Sequence, residues 1–152
     1  MTVGIAGNGW KSSAKRFPRS WTFTGAFEGR SYGNFLRSGK ICIAPLTPQV
    51  SIDGIVHPGD QDTARTYELA AAHCFFLHQR TEYVESLYDE RTEVPLWDGP
   101  EELWELISKF VQDEFERLRF ASAAHRRAVP NYSIAARARQ ISQIIRSNLL
   151  TA

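Results

Sequence analysis

Short apolar runs alternate along this chain with stretches of helical periodicity. Residues 3–6, 21–24, 41–44, 74–77 and 94–97 read as strands, with helix-like segments between them. Residues 41–44 and 74–77 are apolar without alternation, as expected of central strands covered on both faces, and this favours a parallel sheet. The clearest helix begins in Asp98-Gly99-Pro100-Glu101. Asp98 can cap it, Pro100 suits its first turn, and Glu101 stands three residues beyond the cap. Leu103, Leu106, Ile107, Phe110 and Val111 then form its apolar stripe. Two more helices are expected over 114–127 and 133–149, with Pro130 ending the first and Asn131 or Ser133 capping the second. Residues 45–61 form the longest piece without a predicted element, and a loop of that length in a compact domain is more often functional than idle. The pattern is βαβα with a helical ending and no internal repeat. It predicts a single Rossmann-like α/β domain over residues 1–152, a parallel sheet flanked by helices with a helical C-terminal tail.

Composition narrows the partners. With 18 basic against 17 acidic residues and 43% hydrophobic content, the 152-residue chain can bury one sizeable core, and its overall balance argues against a grip on nucleic acid or an anionic membrane. Cys42 and Cys74 both lie in apolar stretches, which suits buried thiols in a reducing, cytoplasmic setting. The first residues lack the pattern of an export signal, and no apolar run is long enough for a transmembrane segment.

In open parallel sheets ligands bind beyond the carboxyl ends of the strands, so the loops of interest are 7–9, 25–29, 45–62 and 78–80. Asp62 or Thr63 can cap the helix that follows, whose free amides and positive dipole end suit a phosphate. Arg65 adds a cation with several donors, and Glu68, one turn on, can accept from paired sugar hydroxyls. The competing reading is an Arg65–Glu68 surface ion pair worth a few tenths of a kcal/mol. Gly7-Asn8-Gly9-Trp10 reads as a tight turn, since it lacks the further glycine of a dinucleotide fingerprint. His57, His73, His78 and His125 have no metal-ligand spacing with the cysteines, so no metal is expected. The aromatic residues 97–120 read as core, and the arginines between Arg117 and Arg146, spread over several helical faces, as a solvated exterior.

Three stretches, GDQDTARTYELAAAHCFFLHQR, VPLWDGPEELWELISKF and HRRAVPNYSIAARARQI, resemble the C-terminal, donor-binding half of a GT-B glycosyltransferase, in the CgeB-like branch of the group 1 glycosyltransferases. Arg65, Tyr67 and Glu68 match the Arg-x-(Phe/Tyr)-Glu signature of that branch. Glu101, Glu102 and Leu103 match its acidic Glu-Leu helix, and residues 131–137 its tail. The resemblance covers about residues 21–145 and implies a metal-independent retaining transferase whose donor substrate, in place of any cofactor, is a nucleoside diphosphate sugar. It implies that Glu68 holds the donor ribose, that Asp60 touches the transferred sugar and that Arg65 meets the diphosphate. Asp62, Thr63 and Ala64 would contact the diphosphate, and Gly25, Ala26 and Phe27 would lie near the base. Where the group has glycines between its two acids this chain has Gln61, Asp62 and Thr63, and His73 stands where a glycine is common after the helix. A full GT-B enzyme has a further Rossmann-like domain carrying the acceptor site. The resemblance therefore implies a domain incomplete at its N-terminus that needs a separate acceptor domain or partner protein for catalysis. The rival reading is a non-catalytic protein-interaction module that retains the fold.

Overall fold

A computed structural model of the chain describes residues 2–150. The chain divides between Gly39 and Lys40 into two compact units. The first contains strand β1 (Val3–Ala6), helix α1 (Trp10–Ser13) with a following 3-10 turn, strand β2 (Trp21–Thr24) and helix α2 (Gly29–Ser38). β1 and β2 pair in parallel, Val3 opposite Trp21 through Ala6 opposite Thr24. Phe17 stacks on Trp21 with ring centroids 5.0 Å apart and closes the crossover between the two strands.

The second unit runs β3 (Cys42–Ala44), β4 (Gln49–Ile52), β5 (Ile55–Pro58), α3 (Ala64–Ala71), β6 (Phe76–Gln79), α4 (Glu82–Leu87) and β7 (Leu96–Trp97). Three helices follow: α5 (Pro100–Gln112), α6 (Glu114–Tyr132) and α7 (Ile134–Leu150). Its main sheet has the order β3-β6-β7 with every pairing parallel, so this is a Rossmann-like α/β fold, as the uninterrupted apolar runs predict. Strand alternation explains why both faces are covered. Phe75, Leu77 and Trp97 pack with Phe110 of α5 and with Phe120 and Ala121 of α6. Phe76 and His78 point the other way, to Tyr88 and to Thr66 of α3.

The structure corrects several expectations, and of the aromatic residues read as core Trp104 and Phe115 are exposed. Residues 45–61 are not a plain loop, because β4 and β5 form an antiparallel hairpin within them. Its turn is Asp53-Gly54, with φ of 51° and 80°, the left-handed pair that a two-residue hairpin requires. The strand expected over 74–77 begins instead at Phe76, because the Cys74 amide is spent on the Leu69 carbonyl at the end of α3. That Schellman-type bond places His73 at φ 61°, the conformation that makes glycine common there. Pro130 does not end its helix. α6 continues to Tyr132, since a proline this close to the C-terminus costs one hydrogen bond and its fixed φ is already helical. The chain breaks instead at Ser133, whose hydroxyl accepts from the Ala136 amide and caps α7. Finally, the N-cap of α5 is Gly99, not Asp98, whose amide donates to Glu102.

Phe110 is 2% exposed, so Phe110→Ala should cost about 3–5 kcal/mol in urea unfolding. Phe115→Ala, at a side chain 76% exposed, should stay within about 0.5 kcal/mol.

Candidate functional site

Among the described residues the carboxyl edge of the β3-β6-β7 sheet gathers three segments: the hairpin and loop after β3, Arg80-Thr81 after β6, and Asp98-Gly99 after β7. The base of the hairpin is pinned to the chain that leads into α3. Gly59 donates to the Pro48 carbonyl and Asp60 to that of Thr47 at 2.9 Å, while the Asp60 carboxylate accepts from the Thr47 amide. A Cβ at Gly59 would overlap the Thr47 carbonyl oxygen, so only glycine allows this approach. Across the sheet edge, the Thr81 hydroxyl donates to the Gln61 carbonyl at 2.7 Å, and Gln79 Oε1 accepts from the Leu46 amide. The loop before α3 is thereby tied to both β3 and β6.

Thr63, in extended conformation, is the N-cap of α3. Its amide donates to Thr66 Oγ1 at 3.1 Å, the reciprocal half of a capping box. Its own hydroxyl faces the Thr66 amide too loosely for a hydrogen bond and is buried without a partner among the described residues. Thr66 Oγ1 lies 2.8 Å from Nε2 of His78, whose Nδ1 lies 2.7 Å from the Gln79 carbonyl. A carbonyl only accepts, so Nδ1 carries the hydrogen and Nε2 receives the one from Thr66. Burial of this fully enclosed imidazole lowers its pKa, against the weaker opposing pull of the Gln79 carbonyl and Asp62. The Tyr88 hydroxyl adds a bond to the Thr66 carbonyl at 3.0 Å.

Arg65 and Glu68 are both exposed on α3, and Arg65 enters none of the ion pairs found among the described residues. The amides of Ala64 and Arg65, at the first turn, have no acceptor among the described residues, whereas those of Thr63 and Thr66 are satisfied. Asp62 does not cap the helix. Its carboxylate takes the Tyr67 hydroxyl, and burial together with that carboxylate pushes the Tyr67 pKa far above its ordinary range. Arg80 is fully engaged: its guanidinium meets Glu85 and Glu90 at 2.7 Å and Asp98 at 2.9 Å. It ties the loops after β6 and β7 together, and Glu85 first among these carboxylates holds it firmly charged.

Gly25, Ala26 and Phe27 follow β2 in the first unit, Gly25 and Ala26 exposed and Phe27 stacked on Phe35 at 4.9 Å. In the second unit the structure joins Asp60 to Thr47 and Asp62 to Tyr67, and sets Arg65 and Glu68 on the open side of the same short helix. Sequence reading missed the Thr63–Thr66–His78 chain. The Thr-x-x-Thr spacing at the helix start and a polar residue closing an apolar strand were its only signals. No group of three or more His, Cys, Asp or Glu side chains among the described residues is placed to hold a metal ion. No helix among them is long and apolar enough to cross a membrane.

A parallel sheet flanked by helices, with its strand-end loops beside a helix start, defines a Rossmann-like α/β protein. Within that class, the glycosyl transferase-like family model matches residues 1–143, so the chain belongs to this family. Membership supports a glycosyltransferase function and suggests a nucleotide-sugar substrate. No curated protein matches the chain.

The lowered pKa of His78 has a definite sign. The unfolded state binds a proton that the folded state resists, so stability is complete above about pH 6.5 and falls as pH drops toward the lower folded value. Thermal melts of the wild type should show this loss, with a slope of at most about 1.4 kcal/mol per pH unit. In His78→Gln that component should vanish.

Proposed function

We propose that this chain is the donor-binding part of a glycosyltransferase, and that the diphosphate of a nucleoside diphosphate sugar docks at the start of α3. The observation that carries this is the pair of unsatisfied amides, Ala64 and Arg65, beside an arginine without an ion-pair partner among the described residues. As the glycosidic bond breaks, negative charge grows on the leaving diphosphate, and a helix amino end with a nearby guanidinium stabilises it without a metal. Glu68 accepts from the ribose hydroxyls. Asp60, whose carboxylate is steadied by the Thr47 amide, keeps lone pairs for the transferred sugar. Thr63, with its buried and unpartnered hydroxyl, and the chain at Asp62 complete the rim. The resemblance to CgeB-like enzymes extends this reading to a GT-B arrangement. A second domain would then bring the acceptor and exclude water from the reaction.

A non-catalytic interaction module is the second reading. It is favoured by the β4–β5 hairpin, which leaves Val50, Ile52, Ile55 and Val56 exposed directly before Asp60.

Thermal shift with uridine, guanosine and adenosine diphosphates separates the two. At a hundredfold excess over Kd, the matching nucleotide should stabilise the fold by about 2.7 kcal/mol. Arg65→Ala and Glu68→Ala, both at exposed positions, should melt normally alone and lose that shift. A wild type indifferent to every diphosphate and sugar nucleotide, or variants that respond undiminished, would refute the donor site.

A further inference from the structure

The balanced total charge conceals a segregation along the chain: no acidic residue follows Glu116, while arginine recurs as far as Arg146. Part of this basic stretch is structural. Arg117 donates to the Phe110 and Val111 carbonyls and so caps the end of α5, Arg119 pairs with Glu116, and Arg127 with Glu93. The arginines of α7 are different. Arg137, Arg139 and Arg146 are exposed and enter no ion pair among the described residues, and Arg137 meets only Gln140 and the face of Tyr132.

α7 is also amphipathic in an unusual sense. Ala136 is its buried contact with the rest of the unit, and the large apolar side chains face away, Ile134 at 90% and Leu149 at 73% exposure with Ile141, Ile144 and Ile145 between them. At about 100° per residue these positions fall on one arc of the helix. Arg137 lies within that arc, between Ile144 and Ile141, and Arg139 and Arg146 lie beyond its Leu149 edge. Gln140, Gln143 and Ser147 occupy the opposite face.

We propose that α7 docks this protein on an anionic lipid surface, its isoleucine face sunk at the headgroup boundary and its arginines reaching up to the lipid phosphates. Charge complementarity selects this occupant. A second copy of α7 would bring like charges together with no carboxylate on either helix to answer them. Nucleic acid would answer the arginines but leave the apolar arc against water. A bilayer interface meets both requirements at once, and long arginine side chains can lie along the apolar surface while their heads stay hydrated. The inference does not rest on the donor site, which lies on α3.

Co-sedimentation of the full chain with vesicles tests it. Vesicles of phosphatidylcholine mixed with phosphatidylglycerol should carry the protein down, phosphatidylcholine alone should not, and raised salt should release it. Replacing Arg137, Arg139 and Arg146 together by Gln should weaken binding at least about tenfold. Ile141→Ser with Ile145→Ser should weaken it as well at unchanged charge. Both sets lie at exposed positions, so melting temperatures should hold and show that the fold is intact. Binding that ignores lipid charge, or that survives both variants, overturns the proposal. So does absence of vesicle binding with light scattering that reports a dimer which the Ile141/Ile145 variant splits, since α7 would then be a contact between copies.

Discussion

A single buried imidazole sets the start of α3. His78 gives its Nδ1 hydrogen to the Gln79 carbonyl, which leaves Nε2 an acceptor, which orients the Thr66 hydroxyl, which in turn receives the Thr63 amide. Each link permits only one direction of donation. The result is a helix whose cap is anchored to the central strand and not merely to its own first turn. Were the imidazole charged, Nε2 would carry a hydrogen toward Thr66, and the Thr66 hydroxyl, still receiving the Thr63 amide, would lose the acceptor for its own hydrogen. The depressed pKa of His78 keeps that from happening near neutral pH.

The consequence is a division of labour within one turn of helix. The Thr63 amide and the Thr66 hydroxyl are consumed by the anchor, while the Ala64 and Arg65 amides and the exposed Arg65 side chain are not. The loop before the helix is equally fixed, by Gly59 against Pro48, Asp60 against Thr47 and Gln61 against Thr81. A rigid frame around unsatisfied donors suits a ligand that accumulates negative charge, because donors already in place need not reorganise as the charge appears. Membership of the glycosyl transferase-like family gives that arrangement a chemical context.

The helical ending follows a different logic. α6 is held by aromatic packing at Phe120 and by a line of buried alanines, Ala121, Ala124 and Ala128, along the helix that packs against α3. α7 has a single buried alanine and otherwise presents its isoleucines and arginines outward. Its sequence is less sharply amphipathic than that of α5, and only α5 turns its apolar stripe into the core.

Periodicity in the chain was enough to determine the strands that flank the sheet loops, the parallel character of the sheet and the helices α5 to α7, because these depend on which residues avoid water at short, regular intervals. The Arg65–Glu68 helix, with a cap at Asp62 or Thr63, was legible for the same local reason. What sequence could not decide was partnership. Whether Asp62 capped a helix or bound Tyr67, whether Arg80 was free or held by three carboxylates, and whether His78 was a loop residue or the anchor of α3 all depend on atoms brought together from distant parts of the chain. Hydrogen bonds and ion pairs of that kind are directional and short-ranged, so only the packed tertiary structure selects among the partners that composition allows.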